Sequence, residues 1–242
     1  MAGSRHDNKH KWTNWRRANF DYFKERLGGL DDNLHLLDVG SGSEQFRELT
    51  WRFKDVISVD FVQHGTTKIV TDLTNGIPLE DKTVDITYLS NTLEHLPDGR
   101  FMIYECFRVL RNGGIIIGTV PFIAPEHQGP YDYNRYTHYM LEILLKDAGF
   151  QKIEITPLGK PAQVYINIIN DFFRKLRKRK ISNNKHIQKF FFRAVGFVRL
   201  VNLGLFAICR PLYNLAEINY QFVQGYGFRG YKTEIPSVIE NK

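Results

Sequence analysis

From residue 34 onward, strand-like and helix-like segments alternate, which is the pattern of a parallel sheet joined by crossover helices. This constrains the chain most, because parallel neighbours cannot be closed by a tight hairpin and each pair needs a long connection. Residues 34–39 read as a buried strand, followed by Gly40-Ser41-Gly42 and a helix predicted from about Glu44. The run 56–59 ending on Asp60, the pair Ile69-Val70 before Asp72, and the run 84–89 read as three more strands. Asp98 stands where an N-cap belongs, ahead of Phe101, Met102, Tyr104, Phe107 and Leu110, a helical spacing that stops at Asn112-Gly113-Gly114. A strand over 115–120 ends at Pro121. A helix over 137–148 is closed by Gly149, and a strand over 152–156 follows. Upstream, Trp12, Trp15, Tyr22 and Phe23 mark a helix within residues 1–30 that either packs into the core or forms a lid.

A chain of 242 residues can hold one buried core and an appendage. The net charge of +7 is local: residues 172–216 carry eleven Lys or Arg and no Asp or Glu, leaving 22 basic against 26 acidic residues elsewhere. A single basic segment argues for a local partner site and against a general nucleic-acid surface. Cys106 and Cys209 lie far apart in no disulfide or metal spacing, so no metal site is expected and a reducing, cytoplasmic compartment fits. Residues 1–12 are polar and basic and lack the apolar stretch of a secretory signal.

The strand-to-loop run Leu36-Leu37-Asp38-Val39-Gly40-Ser41-Gly42, with Asp60 ending the next strand, carries the chemistry. In a doubly wound sheet, ligands bind beyond the carboxyl ends of the strands. The first such loop needs glycines for close approach of its backbone, and a carboxylate roughly 20 residues on can accept ribose hydroxyls. A dinucleotide site would want a third glycine at position 45, where this chain has Gln45, which disfavours a nicotinamide or flavin enzyme.

With this loop, the segments Asp72-Leu73, Ile77-Pro78-Leu79, 85–97 and 109–121 follow in order, and together they resemble the class I S-adenosylmethionine-dependent methyltransferases. That broad family includes ubiquinone-biosynthesis methyltransferases and enzymes of bacterial natural-product and cell-surface polysaccharide pathways. The resemblance spans about residues 30–156 and implies a doubly wound, mostly parallel, seven-stranded Rossmann-like α/β sheet. Residues 31–156 would form the core, 225–242 the last, antiparallel strand and tail, and 157–224 a helical insertion. The cofactor implied is S-adenosyl-L-methionine. Asp38 would help hold its ammonium-bearing methionine part, Gly40, Ser41 and Gly42 would face that part, and Asp60 would take the ribose. Phe61 would cover one adenine face, Asp72 and Leu73 would meet the adenine edge, and Asn91 and His95 would lie near the sulfonium.

The stretch 121–137 follows the fifth strand and overhangs the same edge. Its His127-Gln128-Gly129-Pro130-Tyr131-Asp132-Tyr133-Asn134-Arg135-Tyr136-Thr137 run resembles a signature of methyltransferases encoded among polysaccharide-biosynthesis enzymes, which implies a glycan-type acceptor. Methyl transfer to a hydroxyl requires loss of its proton, and histidine, with a pKa of about 6.5, is the natural base at neutral pH. His127 is therefore the candidate base, with Tyr131, Asp132 and Arg135 beside it. The other reading makes Asp132, Arg135 and Tyr136 a hydrogen-bonded knot that anchors the loop.

Beyond the sixth strand, Arg174, Lys175, Arg177, Lys178, Arg179, Lys180 and Lys185 precede a strongly apolar run, 190–215, in which Pro211 is predicted to end or kink a helix. A basic and apolar helix of this kind suits attachment to an anionic membrane surface. Arg199 near the middle of the best window disfavours spanning, at a cost of roughly 2.5 kcal/mol or more. A core helix or an interface with a second copy of the chain are the other readings. The sequence thus points to methyl transfer to a small-molecule, glycan or lipid-linked acceptor, with an oxygen favoured over nitrogen or carbon. The alternative is a cofactor-binding or membrane-docked scaffold without turnover.

Overall fold

The computed structural model describes residues 12–42, 46–65, 67–215 and 221–233. Gln45 lies outside them. One sheet holds seven strands: β1 (His35–Val39), β2 (Asp55–Asp60), β3 (Ile69–Val70), β4 (Val84–Ser90), β5 (Leu110–Pro121), β6 (Gln151–Leu158) and β7 (Gly225–Tyr231). Their spatial order is β3-β2-β1-β4-β5-β7-β6. The first five are parallel neighbours, and β7 runs antiparallel between β5 and β6. This is the doubly wound, mostly parallel sheet expected. Strand order reverses at β1 and β4, so the loops leaving these strands diverge and open a crevice at their carboxyl ends.

The helices are α1 (Asn14–Gly28), α2 (Arg47–Thr50), α3 (Gly99–Val109), α4 (His138–Asp147), α5 (Pro161–Lys178) and α6 (Lys185–Leu215). Strand side chains alternate between two apolar layers. Leu36, Ile86, Tyr88, Ile115 and Ile117 face Tyr22, Phe23 and Leu27 of α1. On the other side Leu37, Val39, Leu89 and Ile116 meet Met102, Cys106 and Val109 of α3 and Leu141, Leu144 and Leu145 of α4. Both latter helices start as read from sequence, Asp98 Oδ1 accepting from Phe101 N at 2.9 Å and Thr137 Oγ1 from Met140 N at 3.2 Å.

Helix α1 is a packing helix, and two glycines of β7 admit it. A Cβ on Gly225 would stand 2.4 Å from the Trp15 ring, and one on Gly227 2.6 Å from Tyr22. Trp15 Nε1 donates to Asn91 Oδ1 at 3.2 Å, and Asn91 Nδ2 donates to Asn19 Oδ1 at 3.2 Å, so α1 also braces the end of β4.

Two local expectations are corrected, and a third, the helix start near Glu44, lies outside the described residues. The described helix after the glycine loop is a single turn that begins at Arg47. Phe46 is clasped by the rings of Trp12, Phe20 and Phe23 and holds a left-handed backbone, φ 66°, which a helix cannot include. Helix α3 ends at Val109, before the Asn112-Gly113-Gly114 stop, because Leu110 already pairs with Val84 as the first residue of β5. Helix α6 continues past Pro211 to Leu215, so the proline does not end it.

Between β6 and β7, α5 and α6 form a hairpin. Tyr165 stacks on Phe206 at 5.0 Å and donates its hydroxyl proton to Asn202 Oδ1, while Arg199 donates to Asn170 Oδ1 at 2.8 Å. Outside this seam Phe190, Phe197, Leu200, Leu205 and Ile208 are exposed, each by 60% or more.

The sheet interior leaves one tight point on the side away from α1. A Cβ on Gly118 of β5 would lie 2.3 Å from the ring of Phe228, its partner on β7. Gly118→Ala is expected to destabilise the fold by about 1–3 kcal/mol through overpacking, lowering the melting temperature by several degrees in a calorimetric or dichroism melt. An unchanged melting temperature would mean that the β5–β7 contact is looser than described.

Candidate active site

The loop leaving β1 is shaped by its backbone. Gly40 and Gly42 hold φ of +72° and +52°, a region that favours glycine. Gly40 N and Ser41 N donate to Val59 O at 2.8 and 3.1 Å, which ties the loop to β2. A Cβ on Gly40 would meet Thr92 Cγ2 at 2.5 Å, whereas one on Gly42 would meet nothing within 4 Å. Asp60, at the end of β2, closes the turn: its Oδ2 accepts from Gly42 N at 2.7 Å and its Oδ1 from Val62 N at 3.0 Å.

These groups border a cavity of about 810 Å³ at the switch in strand order. All ten residues expected to hold a cofactor line it. Asp38 comes from β1, Gly40, Ser41 and Gly42 from its loop, and Asp60 with Phe61 from the end of β2. Asp72 and Leu73 come from the 3₁₀ turn after β3, and Asn91 and His95 from the segment after β4. The Asn91 side chain is committed to α1, so Asn91 offers the cavity its backbone. Asp72 caps its turn, and the Thr74 backbone amide and hydroxyl hold its carboxyl below the usual carboxylate range. Ser41 Oγ is buried with no hydrogen-bond partner.

The opposite wall is the 121–137 loop, which contributes Gln128, Tyr131 and Tyr133. Tyr131 lies with its ring 5.8 Å from that of Phe61, across the mouth. Of the four residues expected to act on the acceptor, Tyr131 alone lines the cavity. Asp132 and Arg135 form a two-pronged ion pair behind the wall, Nη1 to Oδ1 at 2.6 Å and Nη2 to Oδ2 at 2.8 Å. Arg135 holds the Asp132 carboxyl far below the usual range. Arg135 also reaches Asn134 O and Pro125 O, while Asp132 Oδ2 accepts from His127 N at 2.8 Å. This pair is the knot that gives the loop its shape. Tyr136, buried, donates to Leu93 O at 3.3 Å.

His127 sits on that knot, with its ring edge-on to His95 at 5.0 Å between centroids. Its Nδ1 lies 3.3 Å from Asp132 Oδ2. His95 Nδ1 is 2.6 Å from Tyr131 O, so it carries the proton and donates, and burial holds the imidazole pKa below its ordinary value. Sequence reasoning passed over Glu94. It is fully buried, and neither carboxylate oxygen has a hydrogen-bond partner, so burial pushes its pKa up to about 8. Its backbone carbonyl meanwhile receives Tyr133 N at 2.8 Å and Asn134 N at 3.2 Å, seating the loop on this turn. An acid between apolar residues, Leu93-Glu94-His95-Leu96, was the available signal.

Residues 37–118 match the family described as "Methyltransferase domain". A curated protein of Mycolicibacterium smegmatis named as a probable S-adenosylmethionine-dependent methyltransferase is 33% identical over 81 residues. The match spans 31% of this chain and 32% of that relative, so the chain aligns with about a third of the relative's length. Among solved structures, a SAM-dependent methyltransferase from Archaeoglobus fulgidus superposes with a TM-score of 0.57 at 16% identity, covering 90% of this chain and 94% of that one. Phosphoethanolamine N-methyltransferase 2 of Haemonchus contortus, solved with S-adenosyl-L-methionine, gives 0.54 at 15% identity over 90% of this chain and 53% of its own. The chain therefore has the Rossmann-like methyltransferase fold, and its residues 37–118 match the methyltransferase domain.

Proposed function

We propose that the protein is an S-adenosylmethionine-dependent methyltransferase acting on an oxygen of a small-molecule, glycan or lipid-linked acceptor held under the 121–137 loop. The observation that carries this reading is the convergence of the ten cofactor-type residues on one cavity whose other wall is that loop. The residues fit the cofactor. Gly42 leaves open space where a side chain would stand, and Ser41 Oγ is a buried polar atom in want of a partner. Each Asp60 oxygen takes one backbone amide and keeps a lone pair for a ribose hydroxyl. Phe61 and Leu73 offer apolar surface to the base, and Asp38 a negative charge to the ammonium group. When bound, S-adenosylmethionine supplies a methyl group on a positively charged sulfur, an activated donor for which alignment is the main requirement. Tyr131, Tyr133 and Gln128 present hydroxyls and an amide to a polar acceptor, which suits a hydroxyl-rich molecule.

Calorimetric titration of the full chain is expected to register binding of S-adenosylmethionine and none of NAD. Asp60→Ala is expected to weaken that binding by about ten- to a hundredfold, through loss of charge-assisted hydrogen bonds worth roughly 1.5–3 kcal/mol. Binding of NAD alone would contradict the reading, and an unchanged affinity in the folded variant would remove Asp60 from the site. His127→Ala is expected to keep cofactor affinity and to lower turnover of an oxygen acceptor at least about tenfold. Turnover at the wild-type level would make His127 a loop residue only.

The α5–α6 hairpin supports attachment of the enzyme to the inner, anionic face of a membrane. Among the described residues, Lys185–Cys209 is long and apolar enough to cross a membrane by length and composition, and only 11% of its best window is buried. Arg199 within it is partnered by Asn170, and Arg177, Lys189, Arg193 and Arg199 line a groove of about 550 Å³ between the two helices. Cations beside an exposed apolar face favour lying on anionic lipid over spanning. Co-sedimentation with phosphatidylserine vesicles is expected, weakened but not abolished by salt. Charge reversal at Arg177, Lys178, Arg179 and Lys180 is expected to reduce it, at about 1 kcal/mol per cation, without changing cofactor affinity. Indifference to vesicles together with a stable dimer that Phe197→Glu dissociates would make this face an interface between copies.

A further inference from the structure

The turn after β4 and the 121–137 loop bring together three ligand-type side chains. Glu94, His95 and His127 each present one ligand-type atom within 4.8 Å of the others. His95 donates its Nδ1 proton to Tyr131 O at 2.6 Å, which leaves Nε2 as a lone pair, 3.8 Å from Glu94 Oε1. His127 Nδ1 lies 3.3 Å from both Asp132 Oδ2 and Pro125 O, two acceptors, with the Arg135 guanidinium farther away at 3.5 Å. That ring therefore also carries its proton on Nδ1 and keeps Nε2 free. A carboxylate or carbonyl on one ring nitrogen, with the other nitrogen left bare, is the outer-shell arrangement of metal-binding histidines.

Glu94 supplies the independent observation. It is fully buried, and neither carboxylate oxygen has a hydrogen-bond partner, although polar groups so deeply buried are ordinarily satisfied. The cation on this side, Arg135, is already held in two-pronged fashion by Asp132. The buried acid thus lies against the two imidazoles, its Oε1 3.8 Å from His95 Nε2, with all three ligand-type atoms converging within 4.8 Å.

We propose that Glu94, His95 and His127 form a site for a divalent first-row cation of the zinc type. Two imidazoles and one carboxylate are a ligand set that zinc and its neighbours accept, and three protein ligands leave at least one coordination position open. His95 lines the cavity, so the site borders the space assigned to the acceptor. This last clause rests on the methyltransferase reading, under which the cation would hold an acceptor oxygen. His127 then acts on the acceptor as a ligand and not as a free base, and the site departs from the expectation that the chain holds no metal.

The test uses the full chain, stripped with a chelator and titrated with Co²⁺, whose visible absorption reports its coordination, and with Zn²⁺ by calorimetry. One equivalent of Co²⁺ is expected to bind and to be displaced by Zn²⁺. His127→Ala removes a partly exposed side chain and so spares the fold, and Glu94→Gln preserves shape; each is expected to weaken Co²⁺ binding more than about tenfold. Absence of stoichiometric binding, or equal affinity in His127→Ala, would overturn the site. Titration of the same metal-free protein with S-adenosylmethionine separates the two readings. Cofactor binding without Co²⁺ binding sinks the metal site alone, and Co²⁺ binding without cofactor binding sinks the methyltransferase reading while the site stands.

Discussion

The Asp60 carboxylate is the hinge of this architecture. One oxygen holds the amide of Gly42 and the other that of Val62, so a single side chain fixes the relative position of the loops leaving β1 and β2. Those loops border the crevice that the reversal of strand order opens. With Gly40 pressed against Thr92 and Gly42 facing open space, the backbone is withdrawn where a ligand would lie. Charge-assisted bonds from a buried acid to amides of this kind are among the stronger ones available to a loop. The described part of the cofactor side is thus shaped by these bonds before anything binds.

The acceptor side is built by another means. The 121–137 loop contributes no strand or helix of its own and is held by a knot: Asp132 with Arg135, the amides of Tyr133 and Asn134 on Glu94 O, and Tyr136 on Leu93 O. The last three of these bonds lead to the Leu93–His95 turn, which follows the end of β4. The two walls therefore meet at one short segment, where His95 faces the cavity and Glu94 faces inward. A shift of that turn would move both walls together.

Much of the architecture was legible in the sequence because it depends on short-range signals. Apolar runs ending on Gly or Asp marked β1, β2 and β4, Asp98 and Thr137 marked two helix starts, and the glycine loop with Asp60 marked the crevice. What was misread depends on contacts remote in sequence. No local signal says that Phe46 is drawn into a cluster with Trp12, Phe20 and Phe23, outside α2. Asp132 and Arg135 admitted two readings, acceptor chemistry and a hydrogen-bonded knot, because charged residues in a loop suit both. Their geometry, with both carboxylate oxygens taken, assigns them to anchoring. Glu94 stayed unnoticed because the burial of a carboxylate is decided by the loop that later covers it.

Whether this cavity receives S-adenosylmethionine opposite an acceptor wall is decided by a crystal structure of the full chain grown with S-adenosylhomocysteine. The ribose hydroxyls are expected on Asp60, the adenine between Phe61 and Leu73, and the sulfur directed toward His95 and Tyr131. A ligand seated elsewhere, or an empty cavity at saturating ligand with the Asp60 bonds intact, would contradict it.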